Sequence, residues 1–132
     1  MKKLFGKKGF TLIELVLVMV LLAALAAVIY PKYLDLRDDA HKAQDEAIIG
    51  AWRSGVHIYF ARYKEFPKTI DDLVGCLDGG LPDGWTTNPE SGDIETTATI
   101  TCSGLPSTGD TQSWTYDPTD GSFTPVSGGH GF

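Results

Sequence analysis

From residue 70 to residue 132 the chain has no lysine and no arginine. The same stretch carries ten acids: Asp71, Asp72, Asp78, Asp83, Glu90, Asp93, Glu95, Asp110, Asp117 and Asp120. Phosphate contacts need clustered basic side chains, so no nucleic-acid partner is expected. Cysteine is nearly absent too, with only Cys76 and Cys102. Two cysteines with no nearby histidine cannot complete a four-ligand metal site. No nucleophile–base constellation and no glycine-rich phosphate loop appears, so the expected protein is not an enzyme. The competing class is an enzyme tethered by a signal anchor. At 132 residues there is room for one domain and an anchoring segment, but not for two cores.

The positive charge missing from the end gathers at the start, as Lys2, Lys3, Lys7 and Lys8. From Phe10 to Tyr30 only Thr11 and Glu14 interrupt an apolar run. As a helix that run spans about 31 Å, enough for a hydrocarbon core. Lysines before it place the N-terminus on the cytoplasmic side. The expected divisions are a leader, 1–9, a transmembrane helix, 10–30, and a globular domain outside the cytoplasm, 31–132. Basic residues, an apolar run and Ala24-Leu25-Ala26 also describe a secretory signal peptide. Glu14 inside the run counts against that alternative.

Pro31 must kink the helix or end it, because its ring removes a backbone hydrogen bond. The pattern beyond it argues for continuation. Apolar or small residues recur from Leu36 through Ala40, Ala43, Ala47, Ile48, Ala51, Trp52, Val56, Tyr59 and Phe60 to Tyr63. Arg37, Lys42, Asp45, Arg53 and Arg62 fall on other faces. One helix is therefore expected from about residue 11 to 63, locally weakened by Gly50 and Gly55. After Pro67 a helical turn, Thr69 to Leu73, precedes a loop broken by glycine and proline. Strand signals follow at Ile94 to Cys102, Ser113 to Tyr116 and Ser122 to Val126, the last two joined by turn chemistry at residues 117–121. The expected fold is α+β, a long N-terminal helix packed on a small antiparallel β-sheet. The tail, Ser127 to Phe132, is expected to fray.

Twenty-five residues separate Cys76 from Cys102. In an oxidising compartment the pair reads as one disulfide, worth roughly 3–4 kcal/mol on the chain-entropy model. The alternative is two buried thiols. His41 and Asp45 lie one helical turn apart, as two metal ligands would, but more simply as a solvated pair. His57 has no acid or nucleophile near it in sequence, and His130 lies in the tail. Asp117, Thr119 and Asp120 offer oxygens to Ca²⁺, yet the spacing is not that of an EF-hand and a plain turn explains it equally well. No other cofactor is expected. Trp52, Tyr59, Phe60 and Tyr63 form a stripe at helical spacing that reads as core.

Gly9-Phe10-Thr11-Leu12-Ile13-Glu14, between a basic leader and an apolar run, resembles the signal sequence of type IV pilins and of the pseudopilins of type II secretion. Pro31-Lys32-Tyr33-Leu34-Asp35-Leu36 and Tyr63-Lys64-Glu65-Phe66-Pro67 look similar to mannose-sensitive haemagglutinin-type pilins. The resemblance implies cleavage by prepilin peptidase between Gly9 and Phe10, methylation of the new Phe10 amine, and a helix kink at Pro31. It implies a structural subunit, held singly across the inner membrane as a precursor and then built into a periplasmic or extracellular filament of its own kind. The further partners implied are the membrane lipid and an inner-membrane assembly platform. A type II secretion pseudopilin, a group that often binds calcium near its C-terminus, is the alternative. Glu14 and Phe10 are the expected assembly pair, a carboxylate in the apolar run matched to a neighbour's amine. Otherwise Glu14 is a first-turn acid favoured by its own helix dipole.

Overall fold

A computed structural model describes residues 9–126. The chain divides into two compact units, Met1–Leu36 and Arg37–Phe132. Helix α1, Leu12–Tyr63, runs through both, and Pro31 lies inside it rather than ending it. The continuous helix expected from the residue pattern is the one observed. Residues 1–8 and the tail from Ser127, with His130, lie outside the described residues.

In the second unit, α1 buries Asp45, Ile49, Trp52 and Val56. This corrects the phase expected from sequence. Asp45 belongs to the inner face, whereas Ala40, Ala43, Ala47 and Ala51 are exposed. Helix α2, Ile70–Gly75, is capped by Thr69, whose hydroxyl accepts the Asp72 N–H at 3.1 Å. It contributes Ile70 and Leu73 to the core. Gly55 lets the two helices meet. A β-carbon there would sit 2.0 Å from the Cys76 carbonyl oxygen, so only glycine fits.

Four antiparallel strands follow in a meander: β1, Thr86–Asn88; β2, Ala98–Thr101; β3, Ser113–Asp117; and β4, Ser122–Pro125. Three answer to the expected runs; β1 lies in what read as loop. Side chains alternate across the sheet, so Ala98, Ile100, Trp114, Tyr116 and Phe123 face inward. They meet Trp52, whose indole N–H donates to the Leu73 carbonyl at 2.6 Å. Tyr116 likewise satisfies its buried hydroxyl on the Pro67 carbonyl at 3.0 Å. Arg53 reaches the Phe123 carbonyl at 3.0 Å, fastening α1 to β4. The loop between β2 and β3 is held to α1 where Asp38 accepts hydrogen bonds from the Ser107 N–H and hydroxyl.

The turn between β3 and β4 closes with Gly121 N–H on the Asp117 carbonyl at 2.8 Å, Gly121 adopting φ 71°. This is the hairpin that the sequence chemistry called for.

Candidate functional site

Gly9 and Phe10 precede the first helical residue, in non-helical chain. Phe10 is 91% exposed, and no atom stands within 4 Å of where a Gly9 β-carbon would lie. Among the described residues, the junction between them is exposed.

Thr11 and Glu14 then form a reciprocal cap. The Glu14 N–H donates to Thr11 Oγ1 at 3.3 Å, and the Thr11 N–H donates to Glu14 Oε2 at 2.9 Å. This capping box satisfies two amides that the first turn would otherwise leave without partners. Sequence reasoning weighed Glu14 but passed over Thr11, although Thr-x-x-Glu before an apolar run is the signature of such a box. The carboxylate thus has a local use whatever it does between chains.

Beyond the cap, α1 is the one helix among the described residues long and apolar enough to cross a membrane, and none of that span is buried within the protein. Leu12, Ile13, Leu15 and their successors to Tyr30 are exposed. A stretch of such side chains facing solvent is not a stable end state in water. Its natural surroundings are lipid or other helices.

The remaining candidates separate. Cys76 and Cys102 are not bonded to each other in this structure, Cys102 being buried and Cys76 half-buried. Cys76 donates to the Asp72 carbonyl at 3.2 Å at the end of α2. Cys102 accepts the Gln112 N–H at 3.2 Å and its thiol is hydrogen-bonded to Asp45. Burial pushes both thiols up to about 11, with nearby Asp72 and Asp45 acting in the same direction. Such thiols stay protonated and unreactive at neutral pH. His41 and Asp45 do not form a solvated pair, because Asp45 is buried. His57 is exposed on α1.

Asp117 accepts the Thr119 N–H and hydroxyl at 2.8 and 2.6 Å, and Asp120 accepts the Ser122 N–H at 2.8 Å. Their oxygens order the turn's own backbone. Among the described residues no group of three or more His, Cys, Asp or Glu side chains is placed to hold a metal. The aromatic stripe divides: Trp52 is core, Tyr59 half-buried, and Phe60 and Tyr63 exposed.

Residues 4–30 match the family description of the prokaryotic N-terminal methylation motif. Over 93 residues the chain is 37% identical to the type IV narrow pilus major component PilA5 of Thermus thermophilus, covering 69% of this chain and 79% of that protein. No solved structure gives a significant match. The chain belongs to the type IV pilin family.

Proposed function

We propose that this chain is a structural subunit of a type IV pilus or pilus-like fibre. It is made as an inner-membrane precursor with its leader, residues 1–9, in the cytoplasm. A prepilin peptidase removes the leader between Gly9 and Phe10, and the new Phe10 amine is methylated. Residues 10–30 hold the precursor singly in the membrane. An assembly platform then draws them into the fibre, leaving residues 31–132 as the globular part. The observation that carries this reading is the open Gly9–Phe10 junction set directly before a capped helix whose spanning window has no partner within the subunit.

In this reading Glu14 leaves its place in the cap's service to lipid and meets a neighbour's Phe10 amine. A carboxylate within a spanning helix costs about 2.5–3.5 kcal/mol at the centre, less near the end, and an ionic partner offsets that cost. The pilus component among its relatives favours a pilus over a secretion pseudopilus.

Intact-mass analysis of membrane-extracted protein tests the processing step. The expected species lacks residues 1–9 and carries one added methyl group. A chain starting near Ala27 would instead make residues 1–26 a secretory signal. Electron micrographs of wild-type and deletion strains test the fibre, which is expected only where the gene is intact.

A further inference from the structure

Aspartate precedes glycine at three places among the described residues: Asp78-Gly79, Asp83-Gly84 and Asp120-Gly121. The turns around them are closed in two different ways. In the loop between α2 and β1, the Gly80 N–H donates to the Leu77 carbonyl at 3.0 Å and the Trp85 N–H to the Pro82 carbonyl at 3.1 Å. Both turns put aspartate second and glycine third, where φ is positive, at 88° for Gly79 and 81° for Gly84. Closure of that kind spans the Asp–Gly peptide without using its N–H. Neither the Gly79 nor the Gly84 N–H makes a hydrogen bond among the described residues. The hairpin between β3 and β4 is the reverse. There the Gly121 N–H itself closes the turn, on the Asp117 carbonyl at 2.8 Å, and the Asp120 carboxylate accepts the Ser122 N–H at 2.8 Å. Hydrogen bonding from the Ser122 side chain, then from its N–H, holds the Asp120 carboxyl below its ordinary value. The Phe66 ring lies against Gly121 as well.

We propose that Asp78 is a site of spontaneous isomerisation to isoaspartate, the Gly79 nitrogen attacking the Asp78 side-chain carboxyl. A bond forms between Gly79 N and Asp78 Cγ, and the carboxyl hydroxyl leaves as water with the amide proton. One water then hydrolyses the cyclic imide that results. Opening at the side-chain carbonyl restores aspartate. Opening at the main-chain carbonyl routes the backbone through Cγ and frees the α-carboxylate. Mass is unchanged, and no oxidant, metal or enzyme takes part. The proposal stands whether or not the chain forms fibres.

The reaction needs an unbonded glycine nitrogen and a backbone able to turn about the Asp–Gly step. Asp78 offers both. It and Gly79 are exposed, and nothing stands within 4 Å of where a Gly79 β-carbon would lie. Gly80 follows with a positive φ of its own, 76°. Asp83 meets the first condition but turns less easily, because Gly84 lies against Ser103 and the next residue, Trp85, is buried. Asp120 meets neither, and reacts only when the hairpin opens. Conversion at Asp78 lengthens the main chain by one methylene in a surface loop, a place where extra chain is tolerated.

The test keeps the purified full chain at neutral pH over weeks, folded in detergent and, in parallel, unfolded in guanidinium chloride. Electron-transfer fragmentation of its peptides separates isoaspartate from aspartate residue by residue. An isoaspartyl methyltransferase with a labelled methyl donor counts the total. The unfolded chain reports the intrinsic rate of each step, so the ratio of unfolded to folded rates isolates what the structure does. Folding should slow Asp120 roughly tenfold or more, equivalent to about 1.4 kcal/mol of local opening. It should leave Asp78 nearly unchanged, with Asp83 between them. Asp78→Glu keeps the charge but moves the carboxyl one methylene further off, and should remove most of the label taken up by the folded chain. No isoaspartate at residue 78 of the folded chain, once the unfolded chain has formed it there, would overturn the proposal. So would a slowing at Asp78 as large as at Asp120, or a folded Asp83 less slowed than Asp78.

Discussion

Glu14 has two uses that one substitution cannot separate, and Thr11 separates them. Glu14→Gln keeps a side chain able to complete the capping box but removes the charge. Thr11→Val removes the hydroxyl, at about 1 kcal/mol of helix stability, and keeps the charge. If the carboxylate answers a neighbour's amine, Glu14→Gln should lose fibres, because each contact would bury an unmatched charge. Thr11→Val should keep most of them. Equal fibre counts from the two variants, at equal membrane levels and equal cleavage, would reduce Glu14 to a helix cap. The cysteines allow a second test. Both thiols stand at about 11 in the folded chain against an ordinary 9.0, through burial first. Between those values the unfolded chain holds fewer protons than the folded one, so stability falls as pH rises. Below the ordinary value that stabilisation is complete. Burial also raises Tyr116, which acts in the same sense at the alkaline end. Under reductant, the urea midpoint of the full chain in detergent should therefore decline from pH 9 to 11, less steeply in Cys102→Ala. The same slope without reductant would show that the cell leaves both thiols unbridged. A flatter profile would show that it oxidises them.

The C-terminus of α1 is a compromise at the scale of the element. Lys64 has φ 63°, with its N–H on the Phe60 carbonyl at 2.8 Å. That is the left-handed residue that commonly ends a helix, a place where glycine avoids the β-carbon penalty of about 1–2 kcal/mol. Lys64→Gly should stabilise the full chain by about 1 kcal/mol in urea unfolding. Gly55→Ala should destabilise it by about 1–3 kcal/mol, because the helix pair must separate to admit the methyl group. No change in either would mean that this helix end and this helix crossing are looser than described. The two elements also show what the residues disclosed and what they hid. Asp71 and Asp72 in the first turn disclosed α2, and residues 117–121 disclosed the β3–β4 hairpin, because dipole and turn chemistry are local. The phase of α1 was hidden, because alanine suits either face of a helix and gives no direction by itself. Burial is set instead by Ile49, Trp52 and Val56, with Asp45 carried inward to meet the Cys102 thiol. Strand β1 was hidden for a different reason. Thr86-Thr87-Asn88 is short and polar, buries only Thr87, and pairs only because β2 presents an edge.

Cleavage would change the whole molecule's charge more than its size. With Lys2, Lys3, Lys7 and Lys8 removed, seven basic residues would face all seventeen acids, and net charge would move from −6 to −10. The acids of the C-terminal part are almost all exposed, and no cation lies beyond Lys68 to neutralise them. The proposed subunit would therefore enter the fibre with an acidic surface unable to match itself. Attraction would have to come from the helices, and fibres should repel one another laterally. Ionic strength decides how far that repulsion reaches: about 30 Å at 0.01 M salt and about 8 Å at 0.15 M. Purified fibres at pH 7 and low salt should thus stay single. They should gather into bundles as salt is raised, and again at low salt as pH falls into the carboxylate range near 4. Light scattering reports the transition and micrographs identify its product. An Asp83→Lys, Glu90→Lys, Asp93→Lys variant reduces the net negative charge by six per subunit, and should bundle at lower salt than wild type. Wild-type bundling at pH 7 that ignores both salt and acid would show that an apolar contact governs the fibre exterior, and would remove the acidic surface from the account.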